Sequence, residues 1–298
     1  MKKPLIGILL TTYNDDEVIN RCLKSLYFQS YENIIIICVD DGSKKDVESF
    51  LDFEYSKDKL IIEKIPHSER AVARDTGISI LKNKNVDYFI FLDSDMTLPA
   101  GFISIVTNVT LENNYIGVVL PELSFSTYKN YWSKVKVLER NIYKVNSNVN
   151  SSSSIEAARF WNMELFPDFE KDLKAFEEIQ PTLKARKLGY KIGRVNNIFI
   201  NHDEKYVSLK NLLKKKTGYF NNMSRHKAVN LKSVLTKFYF FRSQLYHPSN
   251  IKEYLKHPLL FFGVIFLYII LTIFAFMHFM KGRVSFVIKY SHSLLQRG

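Results

Sequence analysis

Residues 34–43 read Ile-Ile-Ile-Ile-Cys-Val-Asp-Asp-Gly-Ser, and this stretch sets the pattern of the whole chain. Four consecutive isoleucines followed by Cys38 and Val39 predict a strand that is buried on both faces, as in a parallel sheet. Asp40-Asp41-Gly42-Ser43 then predicts a turn at the carboxyl end of that strand, because Asp, Gly and Ser favour turns. The stretch indicates an α/β protein with polar side chains where its strands end.

The same alternation continues on both sides of this stretch. The predicted strands are Leu5–Thr11, Leu60–Ile65, Tyr88–Leu92 and Ile116–Leu120, and the predicted helices lie at 14–26, 46–51, 71–81 and 101–111. The first helix has an apolar face made of Val18, Ile19, Cys22 and Leu26. We expect Asn14–Asp16 to supply its N-cap and first-turn acids. Strands that alternate with helices predict a mostly parallel sheet with helices on both faces.

A second acidic turn follows another predicted strand. Asp93-Ser94-Asp95 comes directly after Tyr88–Leu92, as Asp40-Asp41 comes directly after residues 34–39. Ligands bind at the carboxyl ends of strands in open α/β sheets. Two carboxylate clusters at one edge repel each other unless a cation joins them, so we predict a divalent metal, Mn²⁺ or Mg²⁺, that carries a diphosphate. The alternative is a pair of solvated turns, since Asp is a common turn residue.

Charge is distributed unevenly along the chain. The 42 Lys+Arg and 30 Asp+Glu give a net charge of +12, but residues 205–298 hold 16 basic residues and one acid, Glu253, a net of +15. Residues 1–204 then hold 26 basic and 29 acidic residues, a net of −3. This asymmetry favours an anionic membrane surface over nucleic acid as a partner. The 46% hydrophobic content excludes global disorder, and Cys22 and Cys38 are too few for a disulfide scaffold.

The longest apolar segment lies in this basic third. Residues 257–280 contain no Asp, Glu, Lys or Arg, and about 20 apolar residues are enough to cross a bilayer. We therefore predict a transmembrane helix at 257–281, which would also allow two copies to pair; a buried core helix is the alternative. Residues 231–246 predict an amphipathic helix that lies on the membrane or on the folded domain. The predicted divisions are 1–204 for the α/β domain, 205–256 for a basic interfacial segment, 257–281 for the span and 282–298 for a tail that forms a further interfacial helix.

The N-terminus and a basic cluster give the expected location. Met1-Lys2-Lys3-Pro4 runs straight into a strand without a secretory signal, so we expect residues 1–256 on the cytoplasmic side of the cell membrane. Shortly before the apolar segment, the chain carries Lys214, Lys215, Lys216 and Arg225. We expect this cluster to contact anionic headgroups or the phosphates of a lipid-linked acceptor. A solvated helix face is the alternative.

The order of these motifs resembles the inverting family 2 glycosyltransferases with a GT-A fold, from about Leu5 to His202. The matching elements are T-T-Y-N at 11–14, V-D-D-G-S at 39–43, A-V-A-R-D-T-G at 71–77, F-L-D-S-D at 91–95, A-A-R-F at 157–160, D-F-E at 168–170, E-E at 177–178 and R-K-L-G-Y-K-I at 186–192. The chain departs from the family at Asp75, where Asn is usual, and at Glu178, where Asp is usual. It also lacks the Gln-x-x-Arg-Trp motif of processive synthases, which argues against a polymerase.

The resemblance implies how a nucleotide-sugar donor would be held. Thr11, Tyr13 and Asp40 would bind the donor nucleoside, with Asp40 facing the base. Arg74 would help to bind the base or a phosphate. Either a UDP-linked or a GDP-linked sugar is compatible with these motifs.

The resemblance also implies which residues perform the chemistry. Asp93 and Asp95 would form the metal-binding DxD motif, with Asp95 as the direct ligand, and His202 would approach the metal or the diphosphate. Glu178 would be the catalytic base that removes the proton of the acceptor hydroxyl. Without the resemblance, His202 reads equally well as a structural histidine, and Glu178 as an exposed acid on a helix.

Together these features predict a metal-dependent hexosyltransferase (EC 2.4) anchored to the membrane, which transfers a sugar to a hydroxyl of a lipid-linked saccharide or a related acceptor. A rival of the same class is a polyprenyl-phosphate glycosyl synthase, whose acceptor is already an anion and needs no base. A rival of another class is a non-enzymatic membrane-associated nucleic-acid-binding or scaffold protein. The net charge of −3 over residues 1–204 argues against nucleic acid.

Overall fold

The computed structural model describes residues 3–16, 18–68, 70–142, 156–169, 178–215 and 248–295, with the backbone alone at residues 249, 275 and 278–295. The chain forms two compact units. The α/β unit contains residues 1–125 and 146–203, and the helical unit contains residues 126–145 and 204–298. The break after residue 203 lies next to the predicted boundary at 204, but residues 126–145, which the sequence assigned to the α/β domain, belong to the helical unit. Lys216, Arg225 and the helix predicted at 231–246 lie outside the described residues.

A seven-stranded sheet forms the centre of the α/β unit. Across the sheet the strands are β3 (Leu60–Lys64), β2 (Ile34–Asp40), β1 (Ile6–Thr12), β4 (Tyr88–Asp93), β8 (Ala158–Asn162), β6 (Gly117–Val119) and β9 (Ile192–Arg194). The first four pair in parallel, as the alternating pattern predicts. β8 is antiparallel to both β4 and β6. The pattern did not predict β8, because the chain passes through residues 126–145 of the helical unit before it forms this strand.

Helices cover both faces of the sheet, and this prediction is confirmed. α1 (Ile19–Tyr27) and α3 (Phe102–Asn113) bury their apolar side chains on one face, and α2 (Arg70–Asn83) and α5 (Ile179–Lys187) on the other. The apolar face predicted for α1 is buried, including the free thiol of Cys22. Gly77 allows α2 to approach β1 closely, since a Cβ there would lie 2.1 Å from Leu9 Cδ1.

Two local predictions differ from the structure. The helix predicted near 46–51 is a single 3₁₀ turn, Val47–Phe50. α1 begins at Ile19 without a side-chain cap, because the backbone carbonyl of Asp15 accepts the first free N–H groups. The side chains that were predicted to cap α1 hold neighbouring loops instead: Asn14 Oδ1 accepts a hydrogen bond from Lys44 N at 3.0 Å, and Asp15 accepts one from the Ser94 hydroxyl.

A second, three-stranded sheet lies beside the Asp93-Ser94-Asp95 turn. It consists of β5 (Met96–Thr97), β10 (Ile200–Asp203) and β7 (Glu122–Phe125), with β10 in the centre. In this sheet His202 pairs with Met96 on one side and with Ser124 on the other. The pairing brings His202 from the far end of the α/β unit to the strand that follows Asp95.

The described helical unit is built around α4 (Tyr131–Ile142), α6 (Pro248–Lys256) and α7 (Pro258–Leu295). Its core is formed by Val135, Ile142, Val207, Leu212, Tyr254, Val264, Leu267, Tyr268 and Leu271. α7 continues to Leu295, so the predicted tail at 282–298 is not separated from the helix predicted at 257–281. Among the described residues, no helix taken singly has the length and apolar composition to cross a membrane. The length and composition are sufficient only when two helical segments are counted together, Asn250–Lys256 and Pro258–Phe274. These segments meet at a bend of 118°.

Candidate active site

The ends of three strands bring the predicted donor-binding residues to one edge of the sheet. Thr12 lies opposite Asp40, and Thr11 lies opposite Asp93, in the pairing of β1 with β2 and β4. Thr11, Asp40 and Asp93 therefore occupy the carboxyl ends of adjacent parallel strands, where open sheets bind ligands. The structure brings the two acidic turns together, as the sequence predicted.

Asp40 presents one unsatisfied oxygen at this edge. Its Oδ1 accepts a hydrogen bond from Ser43 N at 2.9 Å. Its Oδ2 is buried, and no hydrogen-bond donor reaches it among the residues that the structure describes. A buried carboxylate oxygen without a donor is costly. An N–H group of a bound ligand would satisfy it, which fits the nucleobase-facing role implied for Asp40.

An aromatic pair follows the end of β1. The ring of Tyr13, 45% exposed, stacks on His67 with a centroid distance of 4.0 Å and an angle of 16°. Asp41 holds His67 in place, since His67 Nδ1 lies 3.0 Å from the Asp41 carbonyl oxygen and 3.1 Å from Oδ2. Ser68 donates to Asp41 Oδ1 from both its N–H and its hydroxyl at 2.8 Å. The pair presents a flat surface of the kind on which a planar base can stack.

Two buried arginines join the DxD turn to Glu178. Arg74 Nη2 lies 3.0 Å from Asp93 Oδ1 and 2.7 Å from Glu178 Oε1. Arg159 Nη2 lies 3.5 Å from Asp93 Oδ2, 3.4 Å from Glu178 Oε2 and 3.1 Å from Glu122 Oε1. The side chains of Asp93 and Glu178 are each 24% exposed, whereas those of Arg74 and Arg159 are 1% and 7% exposed. The carboxylates can therefore meet a ligand while the arginines support them from inside.

The arginines set the protonation state of both carboxylates. Burial alone would raise the pKa of Asp93, but Arg159 and Arg74 outweigh it and hold that pKa well below its ordinary value. Burial opposes ionisation of Glu178 too, and the same two arginines lower its pKa. Both groups are carboxylates at neutral pH. Glu178 can therefore accept a proton, although its ion pairs make it a weaker base than an isolated glutamate.

His202 links this cluster to Asp95. Its Nε2 lies 3.6 Å from Asp95 Oδ1, and its Nδ1 lies 2.8 Å from Glu122 Oε2. The other Glu122 oxygen accepts hydrogen bonds from Arg159 Nε and Nη2 at 3.2 and 3.1 Å. A carboxylate on one imidazole nitrogen orients the opposite nitrogen, an arrangement that metal-binding histidines commonly use.

Asp95 and His202 are the residues here that fit a divalent metal. They provide one carboxylate and one imidazole nitrogen that face each other, whereas Asp93 is held by Arg74 and Arg159. In the described part of the chain, no three His, Cys, Asp or Glu side chains form a preformed metal cage. Mg²⁺ sites often use one or two carboxylates and take further ligands from substrate phosphates and water. The donor set fits a metal that arrives with a diphosphate.

Residues 7–163, more than half of the chain, match the sequence signature of glycosyl transferase family 2. The chain belongs to this family. An uncharacterized glycosyltransferase of Haemophilus influenzae is 24% identical over 68% of this chain and 84% of that protein. The UDP-Glc:alpha-D-GlcNAc-diphosphoundecaprenol beta-1,3-glucosyltransferase WfgD of Escherichia coli is 28% identical over 37% of this chain and 42% of its own length. Against several other curated relatives, the chain spans less than a third of their length.

A solved structure shows the same fold. The mannosyltransferase PcManGT of Pyrobaculum calidifontis, in complex with GDP-Man and Mn²⁺, superimposes with a TM-score of 0.58 over 95% of this chain and 87% of that one, at 14% sequence identity. The α/β part of the predicted fold class is therefore confirmed: an α/β fold with a mostly parallel central sheet and helices, consistent with GT-A.

Within this family 2 chain, two neighbours of the site were not singled out from the sequence. Arg159 stands in the quoted A-A-R-F element, but nothing local indicated that its guanidinium would meet Asp93 and Glu178. Glu122 follows a predicted strand without any motif, and only the small sheet brings it to His202. Both residues form ion pairs with residues that are far away in the sequence. Local sequence patterns do not report such contacts.

The middle residue of the DxD turn and two of the predicted acceptor-binding lysines lie in different places. Ser94, between the two DxD acids, is buried, and its hydroxyl donates a hydrogen bond to Asp15, which fixes the turn to the loop after β1. Lys214 and Lys215 are exposed and belong to the helical unit. Their predicted contact with lipid or acceptor phosphates stays a prediction.

Proposed function

We propose that this family 2 glycosyltransferase transfers a sugar, with inversion, from a nucleotide-sugar donor to a hydroxyl group of its acceptor. The observation that carries the proposal is the pairing of Asp93 and Glu178 through Arg74 and Arg159 at the edge where Asp40 keeps an unsatisfied oxygen. A donor subsite at Asp40 and an ionised base that is paired to Asp93 through the arginines thus lie at one edge of the sheet.

The donor would enter along the strand ends. Asp40 Oδ2 would accept a hydrogen bond from the base, and the Tyr13 ring would stack against it. UDP and GDP donors both remain compatible, since WfgD is named for UDP-Glc and PcManGT was solved with GDP-Man. We expect one of these two nucleotides to bind.

Glu178 would act on the acceptor. Its carboxylate takes the proton of the acceptor hydroxyl, and the oxygen forms a bond to the anomeric carbon from the face opposite the diphosphate. The bond between that carbon and the diphosphate breaks, and the electron pair leaves with the diphosphate. Such general base help is worth about 10²–10⁴-fold in rate.

A divalent metal, Mn²⁺ or Mg²⁺, would supply further stabilisation. When bound, it would lower the energy of the negative charge that develops on the leaving diphosphate. Asp95 and His202 would hold it, with Glu122 orienting the imidazole. Metal dependence is supported by this donor set and by the Mn²⁺ in the PcManGT complex.

We further propose that the acceptor is lipid-linked and that the protein acts at the cytoplasmic face of the cell membrane. The net charge of +15 over residues 205–298 supports attraction to anionic lipid. The name of WfgD describes a diphosphoundecaprenol-linked acceptor. Lys214–Lys216 and Arg225 would contact headgroups or the acceptor phosphates.

Nucleotide binding tests the proposal directly. Thermal unfolding would be followed with UDP, GDP, ADP and CDP, each with and without Mn²⁺ or Mg²⁺. We expect UDP or GDP to raise the midpoint, with a larger rise when metal is present. Asp40→Asn should weaken this binding by about tenfold, because a hydrogen bond to a charged group is worth roughly 1.5–3 kcal/mol. The exposed Asp58→Asn is the matched control. Absence of any response to all four nucleotides would contradict the proposal.

A further inference from the structure

The helix α7 has two opposite apolar faces, and the described residues of the helical unit bury one of them while they reach the other at Phe266, whose ring lies 6.2 Å from that of Trp132. Val264, Leu267, Tyr268 and Leu271 are buried in the core of the unit. The opposite face carries the outer stripe, defined as Leu259, Phe262, Phe266, Ile269, Ile273 and Phe276, whose members are 45–75% exposed. Their spacing of three, four, three, four and three residues places them along one side of the helix, since 3.6 residues make a turn.

The chemistry around the outer stripe favours lipid as its occupant. In coiled coils, charged residues that flank an apolar stripe of this spacing set the choice and orientation of the partner helix. Here the flanks contain no charge, because residues 257–280 include no Asp, Glu, Lys or Arg. The surrounding sequence 205–298 has a net charge of +15. An exposed apolar face inside a basic segment fits an anionic bilayer surface.

The partner helix α4 determines how α7 can meet that surface. The two helices run side by side in the same direction. Tyr131 Oη donates to the Leu259 carbonyl at 2.8 Å, and Tyr268 Oη donates to Glu139 Oε1 at 2.7 Å further along. Between these points, Gly263 permits the close approach, since a Cβ there would lie 2.5 Å from Val135 Cγ2. α4 is therefore level with residues 259–268 of α7.

α4 carries charges at that level. Lys134 is exposed, Lys136 pairs with Glu139 at 2.6 Å, and Arg140 pairs with Glu204 at 2.9 Å. If α7 stood upright in a bilayer, the exposed Lys134 and the partly exposed Arg140 would lie at the depth of the hydrocarbon, where charged side chains are strongly disfavoured. If α7 lies flat, the outer stripe faces the lipid and α4 remains on the water side.

We propose that residues 259–276 of α7 lie in the plane of an anionic lipid surface, with the outer stripe inserted among the acyl chains and α4 on the opposite, aqueous side. This attachment rests on the membrane association proposed above, but not on sugar transfer. It replaces the upright helix that the apolar length of 257–281 predicted.

Depth measurements distinguish the two orientations. Leu259→Cys, Phe266→Cys and Ile273→Cys would each carry a bimane label, with the unsubstituted chain as a labelling control because Cys22 and Cys38 are fully buried. Quenching by lipids spin-labelled at different depths would be measured in vesicles of 70% phosphatidylcholine and 30% phosphatidylglycerol. A flat helix places all three labels at the same shallow depth, whereas an upright helix separates neighbouring labels by about 10 Å. Three different depths would contradict the flat orientation but not the association with lipid.

Absence of quenching at all three positions would overturn the lipid surface itself, and with it the proposed membrane association. A doubled mass in light scattering would then identify a second copy as the occupant.

Vesicle flotation supplies a matched pair of variants. Leu259 and Leu188 are 75% and 67% exposed, and only Leu259 belongs to the outer stripe. Leu259→Glu should reduce the bound fraction at least about tenfold, and Leu188→Glu should leave it unchanged. Equal flotation of both variants, each checked for folding by circular dichroism, would contradict the proposal. Transfer to a water-soluble acceptor would serve as a separate readout of catalysis.

Discussion

Each unit of this chain buries an ion-pair cluster, and the two clusters differ in what they leave accessible. In the helical unit, Glu139 accepts from Lys136 and Tyr268, and its side chain is 9% exposed. In the α/β unit, Glu178 is held by two arginines but remains 24% exposed at the edge where the strands end. The first cluster is closed within a helix pair. The second is open to a ligand, which distinguishes a site from a structural contact.

The largest effect on stability is expected when Arg159 is removed from the cluster of the α/β unit. Arg159→Met leaves Asp93, Glu122 and Glu178 with fewer counter-charges, and breaking a buried pair in this way typically costs about 3–5 kcal/mol. Urea unfolding would measure the loss. Lys64→Met is the control, because Lys64 pairs with Asp46 at 2.6 Å on the surface and its removal should not shift the midpoint. If both variants kept the urea midpoint of the wild type, the charge of Arg159 would not contribute to the stability of the buried cluster.

The second-largest effect is expected on metal binding, through the contact between Glu122 and His202. Glu122→Gln should weaken Mn²⁺ binding by about 10–100-fold, as the loss of an orienting carboxylate behind a metal-binding histidine commonly does. Electron paramagnetic resonance of free Mn²⁺, recorded with the nucleotide that binds, measures this affinity. The exposed Glu112→Gln should leave the affinity unchanged. A Glu122→Gln protein with unaltered Mn²⁺ affinity would separate His202 from the metal site.

The closed cluster of the helical unit offers a sharper internal control. Lys136–Glu139 and Lys256–Glu253 are both pairs three residues apart on a helix at 2.6 Å, but the acid is 9% exposed in the first and 51% exposed in the second. Glu139→Gln should destabilise the protein by about 1–3 kcal/mol, whereas Glu253→Gln should not move the urea midpoint. Catalysis on a water-soluble acceptor should be unaffected by either variant. If the two substitutions shifted the urea midpoint equally, burial would not determine how strongly each ion pair stabilises the protein.

The smallest effect is expected in the pH dependence of stability. Because the pKa values of Asp93 and Glu178 are lowered in the folded state, their ion pairs stabilise it fully above the unfolded values of about 4. That contribution is lost as the pH falls through the folded values. The stability difference between wild type and Arg159→Met should thus be constant from pH 7 to pH 5 and shrink below about pH 4. Urea unfolding at several pH values checks this, and a difference that grew towards low pH would contradict the assigned ion pairs.

The sequence predicted the structural features that depend on residues close together in the chain, and it missed those that depend on distant residues. Periodicity and the turns after Val39 and Leu92 predicted β2, β4 and the edge where their acids meet, because those signals are local. The family resemblance predicted Glu178 and Arg74 as site residues without indicating that they contact each other across 104 positions. Arg159 and Glu122 depend on an antiparallel strand and a small sheet that no local pattern reports. The apolar run at 257–280 predicted a helix correctly, but its charged neighbour α4 comes from a distant part of the chain.

The central claim, that Glu178 is the base at a nucleotide-sugar site, is tested most directly by the transfer rate and nucleotide affinity of Glu178→Gln. The amide keeps the shape of the side chain and an oxygen for Arg74, but it cannot take a proton. We predict a loss of transfer of about 10²-fold or more with unchanged nucleotide affinity, while Glu178→Asp retains transfer and the exposed Glu164→Gln behaves as wild type. Normal turnover of Glu178→Gln would contradict the account and favour a phosphate acceptor of the polyprenyl type, which needs no base.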